Sequence, residues 1–382
     1  MRAHNERLVL SLVRRNGALP KAEIARLTGL SAQTVSVIMR QLEAEGLLLK
    51  GEPMRGKVGQ PSVPMALNPE GAFFYGLKVG RRSTELVLTN FVGEVVGRRH
   101  TTHRFPMPEA TVEFATTRIA ELTDELGREH AARVAGVGIA MPYQIWDWAE
   151  TIGLEPSAMA AWKHRDIRRD LDDKLDWPVF LQNDASSACG AELVFGDQSA
   201  AQDFLYAYVG YFIGGGVVLN RSLFTGPSGN AGAIGSMPVP DGKGGWTQLI
   251  ERASLVGLES LVEAQGGDAS GLWTDAEAWS VDEAQVAAWV ATAAQALAHA
   301  ITSAISVIDF SHVLIDGWMP ASVRAKLVDA TRDALAHSDF AGLTQVEIRE
   351  GSVGPDARVM GAASLPLSER FLVDGKALFS AG

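Results

Sequence analysis

The 382-residue chain predicts an α/β protein with an amino-terminal winged helix-turn-helix ahead of two α/β lobes. Three observations carry this prediction. Residues 20–46 (PKAEIARLTGLSAQTVSVIMRQLEAEG) carry the pattern of two helices joined by a tight turn. That end carries a net positive charge on an otherwise acidic chain. Beyond residue 70 the order strand-strand-strand-helix-strand-helix-strand occurs twice.

In the helix-turn-helix, Pro20 suits a first helical turn, where its missing N–H costs nothing. Ile24 and Leu27 give the first helix an apolar side, and Gly29 supplies a left-handed stop. Ser31 stands where an N-cap is wanted. Val35, Ile38, Met39 and Leu42 then form the buried stripe of a second helix. Its other side shows Ser31, Gln33, Thr34, Ser36 and Arg40, short polar side chains plus one arginine, which suit base edges and phosphates in a major groove. An ordinary helical hairpin would share this pattern, but the flanks favour a DNA-binding module. Leu8, Val9, Leu12 and Val13 mark a preceding helix that completes a three-helix core. Strands expected at 47–50 and 63–67 enclose a glycine-rich basic segment, which puts Arg55 and Lys57 near a wing tip.

Charge divides the chain at the same place. Residues 1–65 hold 10 Lys and Arg against 5 Asp and Glu, a net of +5, while the remainder holds 24 against 40, a net of −16. A basic end on an acidic protein is what nucleic-acid binding by that end requires.

Composition bounds the rest. An apolar content of 47% supports sizeable cores. No apolar leader segment stands at the start, and a cytoplasmic protein is expected. The uncharged run 284–308 is long enough to span a bilayer, but its polar residues and the Ser280…Glu283 capping pattern point to a buried helix and to no membrane partner. The single cysteine, Cys189, excludes an internal disulfide and a multi-cysteine zinc site. The histidines show no metal-ligand spacing, and no metal or cofactor is expected.

Residues 68–71 form a short polar break, so residues 1–70 are expected to be the winged helix-turn-helix domain. A first α/β lobe is expected at 71–185, completed by the C-terminal helix 365–382, and a second at 186–364. The first lobe calls for strands at 73–79, 85–89, 94–101, 134–139 and 179–182, with helices at 108–127 and 162–175. The second calls for strands at 204–209 and 217–219 around a glycine run and a third at 222–225, a long helix at 282–308, strands at 312–315 and 345–349, a helix at 321–336 and a last helical region from Asp356. Clefts between lobes are common ligand sites. Asn183-Asp184 closes a strand and opens a helix, a place where α/β folds bind ligands. Asp184 there is either a hydroxyl acceptor or base, or a plain N-cap. Gly214–Gly216 reads more readily as a hairpin turn than as an anion cradle. The stretch 226–237 is a glycine-rich loop, and Glu251 is a ligand acceptor or a solvated charge.

Taken together these residues resemble the ROK family of repressors and sugar kinases, on its repressor branch. Gly59–Pro61 (GQP) is similar to the GRP of that branch, and VGIAMP at 137–142 to the family's GIGxPG. FLQNDASSACGAELVFG at 180–196 resembles ENDANAAALAExxFG. YFIGGGVVLNRSLFTGPSGNAGAIGSM at 211–237 resembles GTGIGGGIVxxGxLxxGxxGxAGEIGHM, and RVMGAASL at 358–365 the family ending. The resemblance implies a two-lobed actin-like ATPase fold (ribonuclease H-like, duplicated). It places Asp184 at the catalytic base of the kinases, and Asn183 and Glu251 at sugar contacts. Departures are equally specific. Lys78–Arg82 (KVGRR) replaces DxGGT, Tyr211-Phe212 replaces a Thr-Gly pair, and Ala233–Ser236 replaces EIGH. The cysteine-rich zinc motif is absent, which leaves Trp246 packing as a candidate to hold the region 235–251. The asparagine expected shortly before Trp162 is also missing. These features imply a carbohydrate sensor without phosphoryl transfer that binds operator DNA as a homodimer or higher homo-oligomer, most simply a repressor of sugar-use genes. An ATP-dependent sugar kinase that retains a DNA-binding domain is the alternative.

Overall fold

A computed structural model describes residues 2–53, 63–143, 145–148, 156–197 and 202–373. The chain forms two compact units, residues 1–182 with 362–382, and residues 183–361.

The first unit opens with α1 (Arg2–Asn16), the short strand β1 (Leu19–Pro20), α2 (Lys21–Thr28), α3 (Ala32–Ala44), β2 (Leu48–Lys50) and β3 (Pro64–Leu67). The strands form an antiparallel sheet in the order β1-β3-β2. Val9, Ile24, Val35 and Met39 are fully buried and close the three-helix core. Gly29 takes φ +68°, the left-handed value that ends α2 without a Cβ clash. Ser31 caps α3, its Oγ accepting from the Thr34 amide at 3.1 Å. Two expectations are corrected. Pro20 stands before the first helical turn, paired with Pro64 in β1, and Leu27 is 37% exposed because α2 turns only Ile24 fully inward. Arg55, Lys57 and the GQP segment lie outside the described residues.

The first lobe follows as β4 (Phe73–Val79), β5 (Ser83–Thr89), β6 (Val95–Thr102), α4 (Pro108–Leu126), α5 (Arg128–Ala131), β7 (Val134–Met141), α6 (Ile167–Asp172) and β8 (Val179–Asn183). Its sheet has the order β6-β5-β4-β7-β8. The helix expected at 162–175 is shorter. Trp162 belongs to a 3₁₀ segment, Pro156–His164, and α6 restarts at Asp166, whose side chain accepts from the Arg169 amide at 3.1 Å. Trp162 is nevertheless buried, its indole N–H donating to the Pro106 carbonyl at 2.9 Å.

The second unit begins with α7 (Asp184–Phe195), β9 (Phe204–Val209), β10 (Ile213–Leu219) and β11 (Ser222–Phe224). Next come β12 (Pro238–Pro240), β13 (Trp246–Gln248), α8 (Leu249–Ala253), α9 (Leu255–Ala264) and α10 (Gly271–Thr274). It closes with α11 (Glu283–Ile305), β14 (His312–Gly317), α12 (Ala321–Ala336) and β15 (Glu347–Glu350). Its sheet, β11-β10-β9-β14-β15, repeats the strand order of the first. The final helix, α13 (Ala357–Phe371), gives its first turn to this unit and the rest to the first unit.

The glycine triplet is a correction with a clear cause. Gly214–Gly216 lies inside β10, not in a turn, because α7 packs too closely on this strand for side chains. A Cβ on Gly214 would stand 2.7 Å from the Ala185 Cβ, and one on Gly216 would stand 2.4 Å from the Cys189 Cβ. The N-cap of α11 is Asp282, which accepts from the Ala284 amide at 2.8 Å, rather than the expected Ser280. Among the described residues α11 is the one helix long and apolar enough to cross a membrane; 56% of its most apolar stretch is buried within the fold.

An aromatic latch ties the winged-helix module to its lobe. Arg14 of α1 donates to the Phe91 carbonyl and lies 5.4 Å from the centre of the Phe91 ring. Phe371 packs edge-on against Phe91 at 5.0 Å and against Phe74 at 5.9 Å. The Val373 amide donates to Ser11 Oγ at 3.1 Å. Burial pulls the Arg14 pKa down to about 10.

A Gly216→Ala substitution is expected to cost about 1–3 kcal/mol through overpacking of α7 on β10. Urea denaturation checks this, and an unchanged midpoint would show that α7 can retreat without cost.

Candidate functional site

Helix α3 carries the candidate DNA-contacting set. Ser31, Gln33 and Arg40 are exposed, and Thr34 and Ser36 are half-buried. Ser31 and Thr34 are partly engaged with each other through a 2.8 Å hydroxyl pair, and Arg40 Nε donates to the Ser36 carbonyl at 3.2 Å. Sequence reading missed Val37. It is 47% exposed on the same outward face and could meet a thymine methyl. Its apolar type hid it, since the helical stripe accounts for valines as core.

The second cluster stands where β8 passes into α7. Asn183 is the N-cap, its Oδ1 accepting from the Ala185 and Ser186 amides at 3.0 and 3.3 Å. Asp184 is therefore not the cap but the first helical residue, 14% exposed. Its Oδ1 accepts from the Ala185 amide at 3.0 Å, and its Oδ2 faces Arg358 Nη1 at 3.4 Å. Sequence reading missed Arg358, because the pairing spans 174 residues. Its guanidinium also lies 4.9 Å from the Tyr208 ring centre. Burial opposes the Arg358 charge, yet Tyr208 and Asp184 hold its pKa above the ordinary guanidinium value. A carboxylate held this way suits hydrogen-bond acceptance from a hydroxyl. Glu251 is exposed on α8, and among the described residues it makes no hydrogen bond to Asn183 or Asp184.

The first lobe buries an ion pair between β4 and β5. Lys78 Nζ donates to Glu85 Oε2 at 3.0 Å, with both side chains under 8% exposed. Arg98 Nη1 reaches Glu85 Oε1 at 2.8 Å. His103 hydrogen-bonds Thr84 Oγ1 at 3.1 Å, and its pKa falls to about 4 through burial first, then repulsion from Lys78 and His100. Tyr211 and Phe212 pack against each other at 4.9 Å, and Tyr211 against Trp273 at 5.3 Å.

The region 235–251 is not held by burial of Trp246, which is 66% exposed against His299. Instead β12 pairs with β13, and Asp241 Oδ1 gathers the Lys243 and Gly245 amides at 2.7 and 2.9 Å. Among the described residues no group of three or more His, Cys, Asp or Glu is placed to hold a metal ion.

Residues 74–369 match the ROK family. The chain belongs to the ROK family. Residues 2–48 match a winged helix-turn-helix DNA-binding domain. This ROK protein is 26% identical to the xylose repressor of Bacillus spizizenii over 235 residues, 62% of this chain and 60% of that protein. It is 27% identical to a transcriptional regulator of Mycobacterium bovis over 262 residues, 67% of this chain and 58% of that one. The chain thus spans about 60% of the length of these curated relatives. A crystal structure of a ROK family transcriptional regulator, a homologue of the E. coli Mlc protein, superposes with a TM-score of 0.71 at 19% identity, over 100% of this chain and 98% of that one. A ROK glucokinase from Streptomyces griseus, in complex with glucose and AMPPNP, superposes with a TM-score of 0.58 at 18% identity, over 77% and 99%. These likenesses establish the actin-like fold of the lobes.

Lys78 and His103 each give a prediction. Lys78→Met leaves Glu85 with Arg98 alone and is expected to cost about 3 kcal/mol, read by urea denaturation. His103 is neutral in the fold at pH values where the unfolded chain is protonated, so its contribution to stability is lost as pH falls from about 6.5 towards 4. His103→Gln is expected to flatten the thermal midpoint over that range relative to the parent.

Proposed function

We propose that this ROK protein is a sugar-responsive, DNA-binding transcriptional regulator, acting as a repressor and without phosphoryl transfer. The observation that carries the reading is the pairing of a winged helix-turn-helix with a sugar-kinase-like fold, and the buried Lys78 in the segment that resembles the kinases' DxGGT supports it. A Lys78 ammonium locked on Glu85 supplies no carboxylate for a metal-bound nucleotide. The xylose repressors among its relatives support a carbohydrate effector and operator DNA as partners, in the cytoplasm.

In this mechanism Gln33, Thr34, Ser36 and Arg40 of α3 read the major groove, and the basic residues Arg55 and Lys57 add phosphate contacts. Two copies in a homodimer place two recognition helices on a palindromic operator. The carbohydrate binds at Asn183 and Asp184 with help from Glu251. Asp184, fixed by Arg358, accepts a sugar hydroxyl proton as a hydrogen bond and does not remove it. The sugar acts on DNA binding to the extent that it favours one conformation over another.

The kinase alternative is kept alive by Asp184 itself, which occupies the position of the family's base. Calorimetric titration with a sugar panel and with magnesium ATP, alongside an ADP-release assay, separates the two. One sugar is expected to bind, to lose affinity in Asp184→Ala and to release no ADP. Binding to DNA from upstream of the gene is expected to change with that sugar. Arg40→Ala is expected to weaken that DNA binding and lower its salt slope by about one. Sugar-dependent ADP release would move the protein to the kinases.

A further inference from the structure

Three arginines from three elements of the first unit border one hollow. Arg7 lies on α1, Arg133 immediately precedes β7, and Arg370 stands near the end of α13. The hollow measures about 430 Å³, within the range of small-molecule sites. Leu10, Phe371 and the end of α3 give it an apolar floor. Its wall also holds Glu6 and Glu45, so its charged side chains carry one net positive charge in a chain that carries −11.

These arginines are not engaged with carboxylates. Among the described residues none of the three has a carboxylate oxygen within 4.0 Å. Arg133 donates only to the Glu70 carbonyl at 3.2 Å, Arg370 lies 5.3 Å from the Phe371 ring, and Glu45 is turned to Gln41 Nε2 at 2.8 Å. Elsewhere on this chain arginines do pair, as Arg99, Arg165 and Arg324 show. Three guanidinium groups on one hollow, none of them in direct contact with a carboxylate, leave their donors open to an anion, and their planar forks fit phosphate oxygens two at a time.

The position gives the anion a consequence. Arg133 lies against Gly46, the turn that closes α3, where an added Cβ would stand 2.8 Å from Arg133 Nη1. Leu42 and Leu47, on either side of that turn, face the hollow.

We propose that this hollow is a second ligand site, distinct from Asn183 and Asp184, which takes a small phosphate ester through Arg7, Arg133 and Arg370 and steadies the recognition helix on the first lobe. The ester group is held by the three guanidinium forks, and its organic body rests on Leu10 and Phe371.

Isothermal titration of the full chain with inorganic phosphate, glucose 6-phosphate and fructose 1,6-bisphosphate, at fixed ionic strength, tests this. Sulfate and unphosphorylated glucose serve as controls. At least one sugar phosphate is expected to bind more tightly than sulfate. Arg7→Gln and Arg370→Gln, at half-buried and exposed positions, are each expected to weaken it by about tenfold, with Arg370→Lys intermediate. Asp184→Asn is expected to leave it unchanged, which keeps this site separable from the sugar site. Hydrogen exchange at residues 42–47 is expected to slow when the ester is bound. Binding no tighter than sulfate, binding insensitive to both arginine changes, or binding lost in Asp184→Asn would each overturn the proposal. So would arginine variants that weaken only binding of duplex DNA, since the hollow would then be a contact for the DNA backbone.

Discussion

Helix α7 rests where it does because three glycines make room for it. Gly214 and Gly216 remove the side chains of β10 that would strike Ala185 and Cys189, and Gly361 does the same from α13, where a Cβ would stand 1.9 Å from the Ser187 carbonyl oxygen. With strand and helix both pressed onto it, α7 has almost no freedom to slide. Its first turn carries Asp184, and Arg358, three residues before Gly361, is brought to that carboxylate by the same close packing. The sulfur of Cys189, fully buried in this contact, has its pKa driven up by burial and is a packing atom, not a nucleophile. Geometry at the candidate sugar site is thus set by atoms that are missing.

The buried cation network of the first lobe shows a related economy. Lys78 sits on a central strand, β4, where an unpaired ammonium would be costly. Glu85 on β5 faces it across the antiparallel register, and Arg98 on β6 faces Glu85 in turn. One carboxylate serves two cations from neighbouring strands. The arrangement is tied to strand pairing, so it couples β4, β5 and β6 through side chains as well as through the backbone ladder.

Much of this was legible in residues close together in sequence. The three-helix core of the winged-helix module, the Ser31 cap, and the repeated strand order all follow from periodicity and turn chemistry, whose causes are local. Glycines misled. A triplet in sequence looks like a turn, and only the helix lying on it reveals a strand stripped for contact. The Asp184–Arg358 and Arg14–Phe91 pairs were not legible, because each depends on tertiary folding to join distant residues. Trp246 failed for another reason. Its size suggested a core anchor, but Asp241 closes the local hairpin with backbone hydrogen bonds and leaves the indole outside.

The aromatic latch has a bearing on how such regulators can be recombined. A DNA-binding head that met its sensor only through a linker could be exchanged as a cassette. This one meets its lobe through a fitted contact, because Arg14 donates to the Phe91 carbonyl and lies against the Phe91 ring, and Phe371, 280 positions further along the chain, packs on Phe91. A foreign head grafted onto residue 70 would present some other side chain to that aromatic pair, and Arg14 moved elsewhere would bring a guanidinium with no seat. The head and its lobe therefore meet as a fitted joint, with Arg14 on one side and the two phenylalanines on the other.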